Sequence, residues 1–369
     1  SSSASDVSNI QVREMVAALE ADIVVFDNGL SPIQLRNLSR ELDCPVMDRT
    51  TLILEIFSAR AKTREARLQG EVARLQYMLP RLVGLHDALS RQGGASGAMS
   101  NKGAGEKKLE LDRRRLEQRL TSMRRELEDI AGERRTQRKR RADSGIPRVA
   151  LVGYTNAGKS TIMNAMLTAY GGDEEKKVFE EDMLFATLDT TVRRIAPADQ
   201  NAFLLSDTVG FISNLPHSLV KAFRSTLEEA READLLIQVI DYSDENYMDH
   251  IRVTEDTLKE LDAAQIPMIY VFNKADLCGM GTSATQKNDR LYMSAKSREG
   301  IEALVSLITK KLSNRYRDCA FIIPYQRGDI VSYLNDHAVV HTTEYREDGV
   351  YLETNVSCVD AARYEEYVQ

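Results

Sequence analysis

The sequence predicts an α/β protein made of four successive parts. These are an α/β subdomain over 1–50, a long antiparallel helical hairpin over 51–145, a mostly parallel sheet domain over 146–315 and a small α+β domain over 316–369. Three observations support this prediction. Two heptad-like runs precede a series of apolar strands that alternate with helical stretches, and the C-terminal segment ends in two strand-like runs joined by a turn.

The composition fits a globular protein of several domains. The 369 residues exceed one ordinary domain, and 43% of them are hydrophobic, which is enough to form cores. No apolar run approaches the ~20 residues that a spanning helix needs, so we expect no integral membrane protein. The cysteines are far apart and form no CxxC pair, which argues against a zinc module or disulfide scaffold and suits a reducing compartment. They are Cys44, Cys278, Cys319 and Cys358.

The net charge of −7 hides a strong asymmetry along the chain. Residues 60–148 carry 23 Lys and Arg against 12 Asp and Glu, whereas the rest of the chain carries 26 against 44. A basic segment in an acidic protein is a candidate polyanion contact, because each neutralised phosphate releases counterions. The alternative is a solvated helix face with intrahelical ion pairs. The run 134–141 (RRTQRKRR) contains no acid, which favours phosphate contact for that stretch.

The N-terminal part has α/β character. Asp22–Asp27 (DIVVFD) predicts a buried strand with helical pattern on both sides. Ser31 and Pro32 predict an N-cap and a first helical residue, opening the helix PIQLRNLSREL. Cys44–Met47 predicts a second short extended segment.

Heptad spacing predicts the hairpin. Apolar positions recur at spacings of four and three in two runs separated by a break, so we expect two antiparallel helices. Pro80 is expected to kink or interrupt the first helix. The break, 91–108, is rich in Gly, Ala and Ser and predicts a mobile, exposed tip, either a mere linker or, given its lysines, a nucleic-acid probe. The repeating positions are Leu68, Val72, Leu75, Leu79, Leu82, His86 and Leu89, then Leu116, Leu120, Met123, Leu127 and Ile130.

A phosphate-binding loop follows the first strand of the sheet domain. Gly153–Ser160 (GYTNAGKS) fits G-x-x-x-x-G-K-[ST] between the apolar strand Arg148–Val152 and a helical stretch. Its backbone N–H groups should hold phosphates at a helix N-terminus, with the lysine reaching the β- and γ-phosphates and the serine binding Mg²⁺. The expected contacts are Gly153, Asn156, Ala157, Gly158, Lys159, Ser160 and Thr161.

Three further elements predict a guanine nucleotide. Asp207–Gly210 (DTVG), at the end of a strand over Ala202–Leu205, supplies Asp207 to Mg²⁺ and the Gly210 N–H to the γ-phosphate. After the strand Met268–Phe272 comes NKAD, whose aspartate can accept hydrogen bonds from the two guanine donors that adenine lacks. The stretch SAK ends the next strand and offers backbone N–H groups to the guanine O6. We therefore predict a P-loop GTPase domain. Its expected contacts to the base are Asn273, Lys274, Asp276, Ser294, Ala295 and Lys296.

Other residues bear on the rate of hydrolysis. Thr187 is the switch I threonine expected to bind Mg²⁺, with Thr190 and Thr191 as alternatives. The expected metal ligands are therefore Ser160, Thr187 and Asp207. The residues expected to act in catalysis are Lys159, Thr187 and Gly210. Phe211 follows DTVG where many GTPases have a water-orienting Gln, so intrinsic hydrolysis should be slow. Asn156 is expected either to help bind K⁺ beside the phosphates or merely to cap the loop.

The C-terminal part should be a helix followed by a hairpin. DIVSYLNDH predicts the helix, and AVVHTTEY and GVYLETNV predict two strands joined by Arg346–Gly349.

Taken together, these stretches resemble the HflX family of translational GTPases over most of the chain. The most specific are VFDNGLSPIQLRNL, VALVGYTNAGKST, LFATLD, DTVGFISNLPHSLVKAFRSTLEE and IPYQRGDIVSYL. Two segments depart from the family pattern. The tip reads GGASGAMSNKGAGE where the family is closer to GGGIGTRGPGE, and ATLDTTVR replaces ATLDPTTR. These departures suggest a mitochondrial member acting in the matrix, with a bacterial-type cytoplasm as the alternative.

The resemblance implies a factor that hydrolyses GTP with Mg²⁺. It implies binding to the large ribosomal subunit and its rRNA as a monomer, with the hairpin tip near the peptidyl-transferase centre, and dissociation, recycling or rescue of ribosomes. The alternatives are an assembly factor for the large subunit and a signalling GTPase with a coiled-coil interaction arm. By resemblance, the rRNA contact would comprise Arg91, Gln92, Gly93, Gly94, Lys102, Gly103, Gly105 and Glu106.

Overall fold

A computed structural model describes residues 9–92, 99–143, 145–171, 190–198, 200–213, 224–279 and 285–369. The described residues fall into two compact units, which divide between Gly132 and Glu133. Within those ranges, no helix combines the length and apolarity needed to cross a membrane.

The first unit opens with a small α/β subdomain. Its two strands pair in parallel, with Val24 opposite Val46. The elements are α1 (Asn9–Ala18), β1 (Val24–Phe26), α2 (Pro32–Leu42), β2 (Val46–Asp48) and α3 (Arg49–Arg60).

The N-terminus of α2 carries the predicted cap. The Ser31 hydroxyl accepts a hydrogen bond from the Gln34 N–H, and the Gln34 side chain accepts one from the Ser31 N–H, so a reciprocal capping box holds the first turn. Pro32 is the first helical residue, where its missing N–H costs nothing. Both predictions for this helix are confirmed.

Asp48 links the subdomain to the hairpin. Its carboxylate is fully buried, caps α3 through the Thr51 N–H at 2.9 Å, and accepts hydrogen bonds from Tyr77 and Arg81 further along the chain. Burial opposes ionisation of Asp48, but the hydrogen bonds from these three residues outweigh it and lower its pKa to about 2. The charge is therefore fixed and paired at neutral pH.

The hairpin consists of α4 (Arg64–Gln92) and α5 (Met99–Asp143). Two ion pairs give its direction, because Arg64 pairs with Glu126 while Glu71, one heptad later, pairs with Arg119, one heptad earlier. The helices are therefore antiparallel, as predicted. They pack through predicted heptad positions, namely Val72, Leu75, Leu79, Leu116, Leu120, Met123 and Leu127.

The hairpin differs from its prediction at three points. Pro80 was expected to kink or interrupt the first helix, and the interruption is wrong because α4 continues through Pro80 to Gln92. Within the predicted break 91–108, residues 91–92 and 99–108 are helical, because α4 continues to Gln92 and α5 already begins at Met99; residues 93–98 lie outside the described residues. The helix extends backwards from its heptad core into a Gly/Ala-rich sequence. In addition, the hairpin helices start only at Arg64, since the buried residues of α3 belong to a separate helix.

Among the described residues, the sheet domain contains seven strands in the order β4-β5-β3-β6-β7-β9-β8. The five central strands run parallel, and the edge strands β4 and β8 are antiparallel to their neighbours. Apolar clusters cover both faces of the sheet. The elements are β3 (Arg148–Gly153), α6 (Lys159–Tyr170), β4 (Thr191–Ile195), β5 (Phe203–Asp207), α7 (Arg224–Arg231), β6 (Leu235–Asp241), α8 (Tyr247–Glu260), β7 (Met268–Asn273), β8 (Thr285–Lys287), β9 (Arg290–Tyr292) and α9 (Ile301–Leu312).

The C-terminal domain is a three-stranded antiparallel sheet in the order β10-β12-β11, covered by helices. The predicted helix and hairpin are present, and β10, which the sequence pattern did not reveal, pairs along the whole of β12. Its elements are β10 (Tyr316–Ile323), α10 (Gly328–His337), β11 (Val339–Arg346), β12 (Gly349–Ser357) and α11 (Cys358–Arg363).

Candidate functional site

The phosphate-binding loop connects β3 to α6, and its glycines are required by geometry. Gly153 has φ +144°, and a Cβ there would lie 2.2 Å from the Val239 carbonyl oxygen. Gly158 has φ +96°, and its Cβ would lie 2.2 Å from the Asn273 side-chain nitrogen. Larger residues are excluded at both positions, so glycine lets the loop backbone pack closely against β6 and β7. Thr161 follows in the first turn of α6.

Lys159 is buried and folded over the loop. Its Nζ donates hydrogen bonds to the carbonyl oxygens of Gly153 at 3.2 Å and Tyr154 at 2.9 Å. Burial lowers the pKa of Lys159 to about 8, against an opposing contribution from the negative charge of Asp207. The ammonium is thus poorly solvated by the protein alone, and phosphate oxygens at this loop would stabilise it.

Ser160 and Asp207 form the predicted metal pair. The Ser160 hydroxyl donates a 2.7 Å hydrogen bond to Asp207 Oδ2, and the Asp207 side chain is fully buried at the end of β5. A hydroxyl and a carboxylate are the hard oxygen ligands that Mg²⁺ prefers, so the donor set fits that ion.

The switch I residues lie at the edge of the described chain. Thr187 falls outside the described residues. Of the alternatives, Thr190 immediately precedes β4, and Thr191 is its first residue, paired opposite Asp207.

Gly210 and Phe211 lie directly against the phosphate-binding loop. A Cβ at Gly210 would lie 2.7 Å from Thr155 Cα and 3.0 Å from Lys159 Nζ, so only glycine fits this close to the loop. The Phe211 side chain is buried in the apolar cluster that packs under α7 and α8. Its backbone donates to Gly153 and accepts from Thr155. The aromatic ring therefore cannot orient an attacking water.

The predicted base-recognition loops meet the phosphate loop through Asn273. Its side-chain amide donates to the Ala157 carbonyl oxygen and accepts from the Ala295 N–H, both at 2.9 Å. The Ala295 N–H, one of the backbone groups of the SAK stretch predicted to contact guanine O6, is thus engaged within the protein. Ser294 is buried and Lys296 is exposed.

Lys274 and Asp276 directly follow β7. Lys274 has φ +61° and pairs with Asp241 at 2.7 Å, and Asp276 lies exposed in the following 3-10 turn. Asp241 was not singled out from the sequence, although a polar residue at the end of the buried strand β6 is a usable signal.

Two other residues were missed, and no local pattern could have revealed them. Tyr154, at a variable position of the loop motif, stacks on His250 of α8 with ring centroids 3.8 Å apart.

Asn156 is exposed with φ +60°, and its side chain makes none of the hydrogen bonds that hold the loop to β7.

The predicted rRNA residues lie at the far ends of the hairpin helices. Arg91 and Gln92 end α4. Gly93 and Gly94 fall outside the described residues. The remaining four, all within the first turns of α5, are Lys102, Gly103, Gly105 and Glu106.

Family models match the chain along most of its length. They are described as GTP-binding GTPase N-terminal (residues 6–58), GTP-binding GTPase Middle Region (60–141), 50S ribosome-binding GTPase (148–274) and HflX C-terminal domain (279–367).

Curated relatives extend over nearly the whole sequence. GTPase HflX of Caldanaerobacter subterraneus subsp. tengcongensis is 40% identical over 97% of this chain and 81% of its own length. GTPase HflX of Escherichia coli is 40% identical over 96% and 82%, respectively. A solved GTP-binding protein of Sulfolobus solfataricus in complex with GDP is 23% identical and covers 84% of this chain and 86% of its own, with a TM-score of 0.43.

Proposed function

Because the chain belongs to the HflX family of GTPases, we propose that it is a nucleotide-switched factor that binds the large ribosomal subunit and dissociates ribosomes. One observation carries the proposal: a single chain joins a guanine-nucleotide site to a hairpin of 29- and 45-residue helices. The description of the family model as a 50S ribosome-binding GTPase supports the choice of partner.

The charge of the hairpin supports an RNA contact. Part of its positive charge is neutralised internally, since Arg113 and Arg114 lie 3.1 and 3.0 Å from Glu117 and Glu110. The run 134–141 contains six Lys and Arg and no acid. An acid-free basic run is suited to phosphate groups, because each neutralised phosphate releases counterions. We also propose the tip residues Arg91, Lys102 and their glycine neighbours as rRNA contacts.

Residues of the phosphate-binding loop and of switch II are proposed to bind the phosphates directly. Lys159 leaves the two loop carbonyls and pairs with the β- and γ-phosphates, and the Gly210 N–H donates to the γ-phosphate. Ser160 and Asp207, joined by a switch I threonine that we take as Thr187, would hold Mg²⁺, which neutralises the developing phosphate charge. Loss of the γ-phosphate removes the Gly210 contact and releases the switches. The hairpin then leaves the subunit.

A monovalent cation is proposed beside the phosphates. Since Phe211 is buried and cannot orient water, a K⁺ near Asn156 would supply the charge that an arginine finger supplies elsewhere. Hydrolysis by the free protein should therefore be faster in KCl than in NaCl of equal ionic strength. Equal rates in the two salts would remove the cation from the account.

We also propose that the protein acts in the mitochondrial matrix. The relatives described above are bacterial, and the divergent tip and switch I sequences are the reason to propose the mitochondrial matrix.

Sedimentation on sucrose gradients tests the ribosomal role. The protein is mixed with intact ribosomes, with mature large subunits, or with precursor large subunits, each with GTP or GDP. We expect intact ribosomes to separate into subunits under GTP. Binding to precursors alone would instead support an assembly factor, and absence of any ribosomal binding would support a protein-signalling role.

A further inference from the structure

Tyr154 connects the phosphate-binding loop to the segment Phe211–Ser213, which we call the switch II exit. Its hydroxyl accepts a hydrogen bond from the Ser213 N–H at 3.1 Å and lies 3.2 Å from the Ser213 Oγ. Two backbone hydrogen bonds complete the connection, from Thr155 N–H to the Phe211 carbonyl at 2.8 Å and from Phe211 N–H to the Gly153 carbonyl at 3.0 Å. Tyr154 thus adds a side-chain link to these two backbone hydrogen bonds.

His250 holds the Tyr154 ring in place. The two rings stack with centroids 3.8 Å apart and planes inclined by 9°. The imidazole lies in α8, and its Nδ1 is 3.9 Å from the Asp244 carboxylate. Because a stacked ring cannot rotate freely about its own side-chain bonds, the phenol oxygen is kept at a defined position above the switch II exit.

The position of this exit matters more here than in a GTPase with a water-orienting glutamine. Phe211 turns its side chain into the core, so the attacking water has to be oriented by backbone and by groups near Gly210. Gly210 lies directly before the switch II exit, and a shift of about 1 Å in a reacting geometry can cost roughly 10²-fold in rate. The link that fixes the exit would therefore act on the chemical step.

We propose that Tyr154 is a positioning residue for GTP hydrolysis, and that His250 acts through it. The hydroxyl fixes the switch II exit against the phosphate loop, and the stack fixes the hydroxyl. This inference rests on the GTPase activity and is independent of the ribosomal partner.

Tyr154→Phe in the full chain is the first test, because it keeps the ring and the stack and removes only the hydroxyl. We expect kcat for GTP hydrolysis to fall roughly tenfold or more, while the Kd for GDP changes less than twofold. His250→Ala should lower kcat similarly, whereas His250→Phe, which can still stack, should restore most of it. The kcat of the double variant Tyr154→Phe/His250→Ala should be no lower than that of the slower single variant, because both changes disrupt the same link.

The C-terminal domain offers a matched control. Tyr333 stacks on His337 with centroids 4.2 Å apart and planes inclined by 10°, and its hydroxyl donates to Asp360 at 3.1 Å. Tyr333→Phe and His337→Ala should leave kcat unchanged. An unchanged kcat in Tyr154→Phe would overturn the proposal. So would a fall in kcat matched by an equal weakening of GDP binding, since that would indicate a general loss of loop structure.

Discussion

Asn273 donates a 2.9 Å hydrogen bond from its side-chain amide to the carbonyl oxygen of Ala157, which joins the base-recognition loop to the phosphate-binding loop. The same side chain accepts from Ala295, so one buried amide holds three loops together. Guanine selection and phosphate binding therefore depend on a shared support.

Asn273→Ala tests that support. Because both hydrogen bonds are buried, losing them leaves a carbonyl and an N–H without a partner, at about 1–3 kcal/mol each. We expect GDP and GTP affinity to fall at least tenfold, as measured by titration with fluorescent nucleotides. Asn335→Ala, which removes an exposed amide bonded to Val331 in α10, should leave both affinities unchanged. Wild-type affinity in Asn273→Ala would show that the loops are held by other contacts.

Asp276→Asn should change the base that is recognised. The carboxylate can accept from both guanine donors, whereas an amide offers an N–H that suits the carbonyl group at C2 of xanthine. We expect GTP affinity to fall roughly 10²-fold or more, with a gain for xanthosine triphosphate, in a competition assay that includes ATP. Asp289→Asn, at an exposed turn where the carboxylate pairs with Lys311, is the matched control. Equal competition by ATP and GTP in the wild type would contradict the assignment of Asp276.

Lys159 should make nucleotide binding depend on pH. Burial lowers the pKa of Lys159 to about 8 in the nucleotide-free protein. Between about pH 8 and 10.5 the unfolded chain therefore binds more protons at Lys159 than the folded protein does. In that range Lys159 makes the free energy of unfolding rise with pH. Phosphates favour the ammonium form, so binding above pH 8 requires uptake of a proton.

Calorimetry of GDP binding in two buffers of different ionisation enthalpy would measure that proton. We expect uptake of close to one proton at pH 9 and almost none at pH 7, with affinity falling roughly tenfold per pH unit above 8. The absence of uptake at pH 9 would mean that Lys159 remains charged without the nucleotide.

The basic run 134–141 should govern the salt dependence of RNA binding. Changing its Lys and Arg to Ala should weaken binding to large subunits and flatten the plot of log affinity against log salt. Arg113→Ala/Arg114→Ala removes arginines from the same helix that already pair with Glu110 and Glu117, so its effect on the slope should be smaller. If neither change alters affinity or slope, the hairpin is better explained as a protein-interaction arm.

The sequence predicted the features that are encoded locally. The loop GYTNAGKS, the cap at Ser31 and the heptad seam each lie in contiguous residues with a fixed spacing, and the predicted resemblance to the HflX family is confirmed by relatives at 40% identity. The strand β10 was missed because its sequence alternates weakly and becomes a strand only by pairing with β12.

Contacts between distant residues were beyond sequence reasoning. Three such contacts each join different elements. They are the stacking of Tyr154 on His250, the hydrogen bond from the Ala295 N–H to Asn273, and the hydrogen bonds from Tyr77 and Arg81 to Asp48. The helical state of residues 99–108 was missed for a related reason. Composition alone indicated a loop, whereas the long helix α5 propagates into this stretch from its packed part.

Co-pelleting with purified large ribosomal subunits, with the protein loaded with a non-hydrolysable GTP analogue, GDP or no nucleotide, tests the central claim most directly. The account predicts strong co-pelleting with the GTP analogue and at least tenfold weaker co-pelleting with GDP, a difference of about 1.4 kcal/mol that is typical of coupling between two sites. Equal binding in all three states, or none in any, would contradict it.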